Sequence, residues 1–216
     1  MTLPSAHVPA LLRALLATGG TVAAVGFGAW PAATGCFAAV AAIAVLHAGR
    51  AERQARRDPL TGVGNYRRLH ERLHQAVSAD PRRFAVLTLD VDQFKQINEH
   101  FGHLEGDRLL QEVGRALVDN VRGQDVVARQ GGDEFSVLAP GTDEAGAAIL
   151  AERIERALAS IEAADHTPVR ASIGYAVFPS DGLTPEDLLE KADRELRRTK
   201  AERRTVAPDA GDTVAA

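Results

Sequence analysis

The sequence predicts an α/β domain, a central mixed sheet with helices packed around it, preceded by an N-terminal pair of membrane-spanning helices. Three observations carry this. From Asp58 onward helical and strand periods alternate, residues Val8 to Ala48 hold one formal charge, Arg13, and VVARQGGDEFSVLAP (126–140) sets two apolar strands around a tip of two glycines and two acids. At 216 residues, 45% hydrophobic and 25% charged, the chain has room for one domain of roughly 150 residues and an addition to it.

The apolar tract over 1–48 has membrane composition and is too long for one helix of about 20 residues. GFGAWPAATG interrupts it with Gly26, Gly28, Pro31 and Gly35, and Trp30 suits a membrane interface. Spans are therefore expected near Leu11 to Phe27 and Ala32 to His47, with a single tilted span or a signal peptide as the alternatives. Arg13 near the start of the first span and Arg50, Arg53, Arg56 and Arg57 just after the second put both ends in the cytoplasm, with the domain that follows. HAGRAERQARRDP reads as a short stiff linker helix over 49–57, ended by Asp58-Pro59. A lone Cys36 supplies no disulfide framework, and the seven histidines read as scattered surface or helix-face residues without metal-ligand spacing.

Each later element has its own pattern. NYRRLHERLHQAV is amphipathic, with Leu69, Leu73 and Val77 on one face. FAVLTLDVD is a near-continuous apolar run ending in acids, as a buried strand would be. HLEGDRLLQEVGRALVDNV is a helix with Leu109, Leu110, Val113, Leu117 and Val121 inward. The hairpin follows, then a helix in TDEAGAAILAERIERALASI, a strand in VRASIGYAVFP, and a last helix in TPEDLLEKADRELRRTKAERR. The final residues, 205–216, have no core pattern and are expected to be disordered.

Asp90 and Asp92 end an apolar strand, where ligands gather in open α/β sheets, and Asp133 and Glu134 stand at the hairpin tip. If these strands are neighbours, acids from distant segments converge. Such carboxylates repel unless a cation holds them, and an all-oxygen site suits Mg²⁺ or Mn²⁺, which shares its shell with phosphates and so implies a nucleotide. Gly131 and Gly132 then permit an unusual turn and a close backbone approach to a bulky ligand. DVDQFKQINEHF opens like a calcium loop, but Lys95 stands where the loop needs Gly and Phe101 where it needs Glu.

LDVDQFKQINEHFGHLEGDRLL followed by RQGGDEF resembles the GGDEF family of diguanylate cyclases, which join two GTP into cyclic di-GMP and release two pyrophosphates. DPLTGVGN and SIGYAVFPSDGLTPEDLLEKAD also look like that family, so the resemblance covers about Asp58 to Arg204 and leaves the membrane region outside. It implies a nucleotidyl-cyclase, polymerase-palm-like fold, Mg²⁺ or Mn²⁺ as cofactor, and a homodimer, because each domain holds one GTP. Metal would be held by Asp90, Asp133 and the carbonyl of Val91, with Glu134 completing the acidic tip. Asn98 and Asp107 would read guanine, while Gln93, Phe94 and Lys95 would meet the triphosphate. Gly131 and Gly132 would let the nucleotide approach, and Lys200 and Arg204 would neutralise the terminal phosphates. Asp133 is the candidate for removing the hydroxyl proton.

Arg122 and Asp125 form an R-x-x-D just upstream of the signature, where the family carries its product-inhibition site, and Arg153 on the next helix is a further contact in this reading. The ending ELRRTKAERRT departs from the family: Glu195 replaces a small residue, Arg197 an aromatic and Arg203 a glycine. That departure supports an alternative, a non-catalytic receptor for GTP or cyclic di-GMP. A net charge of −4 and the lack of an aromatic-basic patch argue against nucleic acid as a partner. The expected location is the inner membrane of a bacterium, with the catalytic domain facing the cytoplasm.

Overall fold

The computed structural model describes residues 41–47, 54–79 and 83–206, with side chains as far as Arg203. Met1–Glu52 and Arg53–Ala216 form two separate units, and of the first only a helical stretch over 41–47 is described. Among the described residues no helix is long and apolar enough to cross a membrane. The first expected span, the second as far as residue 40, and the tail beyond Val206 lie outside the described residues.

The second unit is a five-stranded mixed sheet between helices. Its strands are β1 (Gly64–Asn65), β2 (Phe84–Val91), β3 (Val126–Gly131), β4 (Glu134–Pro140) and β5 (Ala171–Phe178), in the order β1-β3-β4-β2-β5. β1 runs parallel to β3, and every other pairing is antiparallel. The helices are α1 (Tyr66–Ser78), α2 (Phe94–Phe101), α3 (His103–Asp119), α4 (Glu144–Leu158) and α5 (Pro185–Val206). β2 lies between β4 and β5 and has helices on both faces, so every residue except Asp90 is buried. That double burial is why it reads as a continuous apolar run.

The side-chain alternation of β2 divides the core in two. Ala85, Leu87 and Leu89 face the inward residues of α3 and α4, among them Leu109, Val113, Leu150 and Ile154. Phe84 and Val86 face Leu69 and Leu73 of α1 and Leu188 and Ala192 of α5. Phe84 and Phe178 stack across β2 and β5 with ring centroids 4.9 Å apart. At Gly174 the helix comes so close to β5 that a Cβ would overlap the Ala192 carbonyl and the Leu196 amide. The register of α5 over the sheet is therefore set by backbone contact, which no side-chain periodicity announces.

Besides β1, a two-residue strand that the sequence reading did not include, three details differ from that reading. Of the linker helix expected over 49–57, residues 49–53 lie outside the described residues; Gln54 is helical, residues 55 and 56 turn, and Arg57 bridges to Gly64 and donates to the Gly62 carbonyl at 2.6 Å. The cause is a local loop in which Asp58 accepts from the amide and hydroxyl of Thr61 at 2.9 and 2.7 Å and draws the chain back into the domain. The second is α2, which the apolar pattern does not reveal: it has eight residues, none buried, and begins after Gln93 in the left-handed region at φ 59. The third is α5, which continues past Arg204 to Val206.

Candidate active site

The paired register of β2 and β4 puts Asp90 directly opposite Glu134, and Asp133 occupies the turn beside them. The Val91 amide donates to the Asp133 carbonyl at 3.3 Å, which ties the tip to the end of β2. Gly131 pairs with Glu134 and Gly132 stands first in the two-residue turn at φ 53, the left-handed conformation such hairpins ask of a glycine. A Cβ on either glycine would meet nothing within 4 Å, so the space over the tip is open.

Like charges placed opposite one another across a sheet are destabilising, and this site shows it. Burial first, and the charge of Asp90 second, raise the Asp133 carboxyl above its ordinary value. Glu134 is raised by burial, then by Asp90, Asp193 and Asp133. Only oxygen ligands are offered here, and their mutual repulsion is what a hard divalent cation would relieve. Asp90, Asp133 and the Val91 carbonyl thus fit Mg²⁺ or Mn²⁺ in donor type and charge.

The last helix supplies the counter-charges. Lys200 Nζ donates to Asp90 Oδ1 at 2.7 Å, so in this state it neutralises the carboxylate expected to hold metal. Asp92 is engaged differently: Ser172 Oγ donates to one oxygen at 2.7 Å and Arg203 to the other at 3.2 Å. Arg203 also binds Glu155 on α4 at 2.6 Å and the Ala171 carbonyl at 2.8 Å. The arginine that departs from the family pattern thus pins α5 to β5 and α4. Glu195 is paired with Lys191 and Arg198 at 2.8 Å each, and Arg197 is exposed, so neither interrupts the contact at Gly174. The side chain of Arg204 lies outside the described residues.

Beyond Asp92 the chain turns through Gln93 into α2. The first bond within the helix runs from the Ile97 amide to the Gln93 carbonyl, and no side chain caps the start. The amides of Phe94, Lys95 and Gln96 precede that bond, a ready anion site adjoining the acidic tip. Lys95 is largely exposed and its ammonium lies 3.5 Å from Glu99. Asn98 packs over α3 so closely that a Cβ at Gly106 would overlap its Oδ1, which brings the carboxamide beside the residue preceding exposed Asp107. The two base-reading candidates therefore sit on adjoining helices.

The other flank of the hairpin is clamped. Arg129 donates to the Gly132 carbonyl from Nε at 2.8 Å and Nη2 at 2.6 Å, and its Nη1 meets Asp58 Oδ1 at 3.1 Å. Burial raises the Asp58 carboxyl, but the bonds from Thr61 and then from Arg129 outweigh it, and the net shift is downward. A cleft of about 520 Å³ opens on this flank beside Asn65, Tyr66, Arg67 and Gly131. It contains none of the acidic-tip carboxylates, so its size is no guide to the chemistry.

Arg122 and Asp125 form a closed turn. The Arg122 amide donates to Asp125 Oδ2 at 2.8 Å and the Asp125 amide donates back to the Arg122 carbonyl at 2.9 Å. Asp125 Oδ1 and Arg153 Nε are both buried without a hydrogen-bond partner, while Arg122 is exposed. Four residues around the tip, Asp58, Arg129, Ser172 and Asp193, lie in the motifs quoted from the sequence but were given no role in the site there. Spacing along the chain does not show what they touch. The charge of Asp193 faces Glu134 only because α5 lies over the sheet.

Comparisons with known proteins agree with this geometry. Residues 55–205 match the family model described as diguanylate cyclase, GGDEF domain. The bifunctional diguanylate cyclase/cyclic di-GMP phosphodiesterase MucR of Pseudomonas aeruginosa is 43% identical over 148 residues, 66% of this chain and 22% of that protein. Diguanylate cyclase DgcP of the same organism is 39% identical over 150 residues, 66% of this chain and 22% of that protein. The chain thus spans about a fifth of the length of these relatives. A solved sensory box/GGDEF family protein from Caulobacter crescentus superposes with a TM-score of 0.63 at 39% identity, covering 68% of this chain and 99% of that one. With the signature at residues 131–135 forming the tip of β3 and β4, this chain belongs to the GGDEF diguanylate cyclase domain family.

Proposed function

We propose that the protein is a membrane-anchored diguanylate cyclase that converts two GTP into cyclic di-GMP and two pyrophosphates as a homodimer, under product inhibition. The observation that carries the reading is the juxtaposition of Asp90, Asp133 and Glu134 with the uncapped start of α2. A divalent cation bound by the carboxylates would polarise the reacting phosphate oxygens and the leaving pyrophosphate. The chain's own contribution is positioning. The α2 amides would bind the triphosphate, with Lys95 near, while Asn98 and Asp107 would hold the guanine. With nucleotide and cation bound, Lys200 would leave Asp90 and neutralise phosphate. Asp133, whose carboxylate is made more basic by burial and by Asp90, would accept the proton of the attacking 3′-hydroxyl as the bond from α-phosphorus to pyrophosphate breaks.

One site holds one GTP, so two domains must face each other. The apolar segment over 1–48 would tether and pair them at the inner membrane with the domain in the cytoplasm. Product would be gripped by the exposed Arg122 guanidinium, with Asp125 fixing the turn and Arg153 adding a contact. The test is product formation from GTP and Mg²⁺ by the full chain in detergent or lipid, with nucleotides separated and identified. Cyclic di-GMP from the parent and none from Asp133→Ala supports the cyclase, and Arg122→Ala should then relieve inhibition by added product. No product at concentrations that force dimers, with cyclic di-GMP still bound, would make the protein a receptor instead.

A further inference from the structure

The histidines that look scattered in the sequence are not all scattered in the fold. His70 and His74 stand one turn apart on α1, and the first turn of α5 brings Glu186 to them. One ligand atom from each of the three side chains lies within 4.8 Å of the others, and His74 Nε2 is 3.9 Å from Glu186 Oε1. Bonds of about 2.0–2.2 Å in a tetrahedral zinc site set ligand atoms roughly 3.2–3.6 Å apart. The required closure is about an ångström, and the side chains of His74 and Glu186, 60% and 67% exposed, have the freedom to make it.

Two further observations point to an ion rather than a surface ion pair. His70 Nε2 is buried without a hydrogen-bond partner, and a polar nitrogen out of water and unsatisfied is costly. Its ring is backed by Tyr66, centroids 4.1 Å apart, which limits its reorientation. Glu186 is also not needed to cap α5. Thr184 and Asp187 do that reciprocally, the Asp187 amide donating to Thr184 Oγ1 at 3.1 Å and the Thr184 amide to Asp187 Oδ2 at 3.2 Å.

We propose that His70, His74 and Glu186 form a transition-metal site of the zinc class, three protein ligands with a water as the fourth, that staples α1 to the start of α5. Imidazole nitrogen selects Zn²⁺, Co²⁺ or Ni²⁺ over Mg²⁺, so this site and the acidic tip bind different metals. The consequence is mechanical: α5 carries Asp193, Lys200 and Arg203 to the tip, and the metal fixes its opposite end.

The probe is Co²⁺ added to the untagged full chain in detergent, read by its visible ligand-field absorption. The expected result is a band that saturates at one equivalent, is displaced by Zn²⁺ but not by Mg²⁺, and persists in Asp133→Asn. His74→Ala and Glu186→Gln, both at exposed positions, should each weaken binding by at least about tenfold. They should also abolish the rise in unfolding midpoint that Zn²⁺ gives the parent. No band at millimolar Co²⁺ overturns the site, as does a band that survives both substitutions or disappears in Asp133→Asn.

Discussion

Asp58 and Asp133 flank the same hairpin and are treated in opposite ways. Asp58 is partly buried yet pushed down, because two bonds from Thr61 and the Arg129 guanidinium satisfy its charge. Asp133 is pushed up, first by its burial and then by the charge of Asp90, and the counter-charges of Lys200 and Arg129 do not cancel the cost. One flank is a finished structural joint and the other is left unsatisfied. Unsatisfied charge in a fold is stored capacity for a ligand, which separates the functional flank from the structural one even though both are rich in acids.

The most decisive way to break the comparison is to remove a charge from the unsatisfied flank. Asp133→Asn is expected to lower cyclic di-GMP formation by at least about a hundredfold while leaving the metal-free protein as stable as the parent or more so. Product analysis alongside thermal unfolding in chelator checks both halves, and a variant that loses activity only by unfolding would contradict them. Arg129→Ala acts on the other flank. It frees the Gly132 carbonyl and leaves Asp58 without its cation, and is expected to cost about 2–3 kcal/mol in urea unfolding. Adding Asp58→Asn should recover part of that loss, since the uncompensated charge goes with it.

The two flanks also answer pH in opposite directions. Asp133 and Glu134 hold protons more tightly folded than unfolded, so between their unfolded values, about 4, and their raised folded values stability falls as pH rises. Asp58 holds its proton less tightly when folded, so its contribution is present above its unfolded value and is lost as pH falls through the lower folded one. Urea midpoints of metal-free protein across this range should show less decline with rising pH in Asp133→Asn than in the parent. Saturating Mg²⁺ should flatten the parent's decline as well. The smallest effect is expected from Arg203→Gly, which leaves Asp92 with Ser172 alone and frees Glu155. A loss of about 1 kcal/mol and a change of activity under about tenfold would place Arg203 as a brace for the site, whereas loss of all product would place it in the chemistry.

Much of this domain was legible before folding. β2 is a buried run bounded by acids, α1 and α3 have clean helical stripes, and the hairpin carries its own turn glycines, so the periods of strand and helix mark each one. α2 was not legible, because eight residues with no buried side chain leave no stripe to read. The end of the linker was misread for a related reason: charge pattern favours helix there, but the bonds around Asp58 and the bridge from Arg57 to Gly64 are tertiary.

The sequence by itself determined four of the five strands, most of the helices and the acids at their ends, because these depend on local periodicity and turn chemistry. Only the tertiary structure decided which charges meet: Asp90 with Glu134 across two strands, Lys200 with Asp90 and Arg203 with Asp92 from the last helix, and His74 with Glu186 between α1 and α5. Those pairings follow from sheet order and from the close backbone contact at Gly174, and electrostatic energy depends on distance in space, which spacing along the chain does not encode.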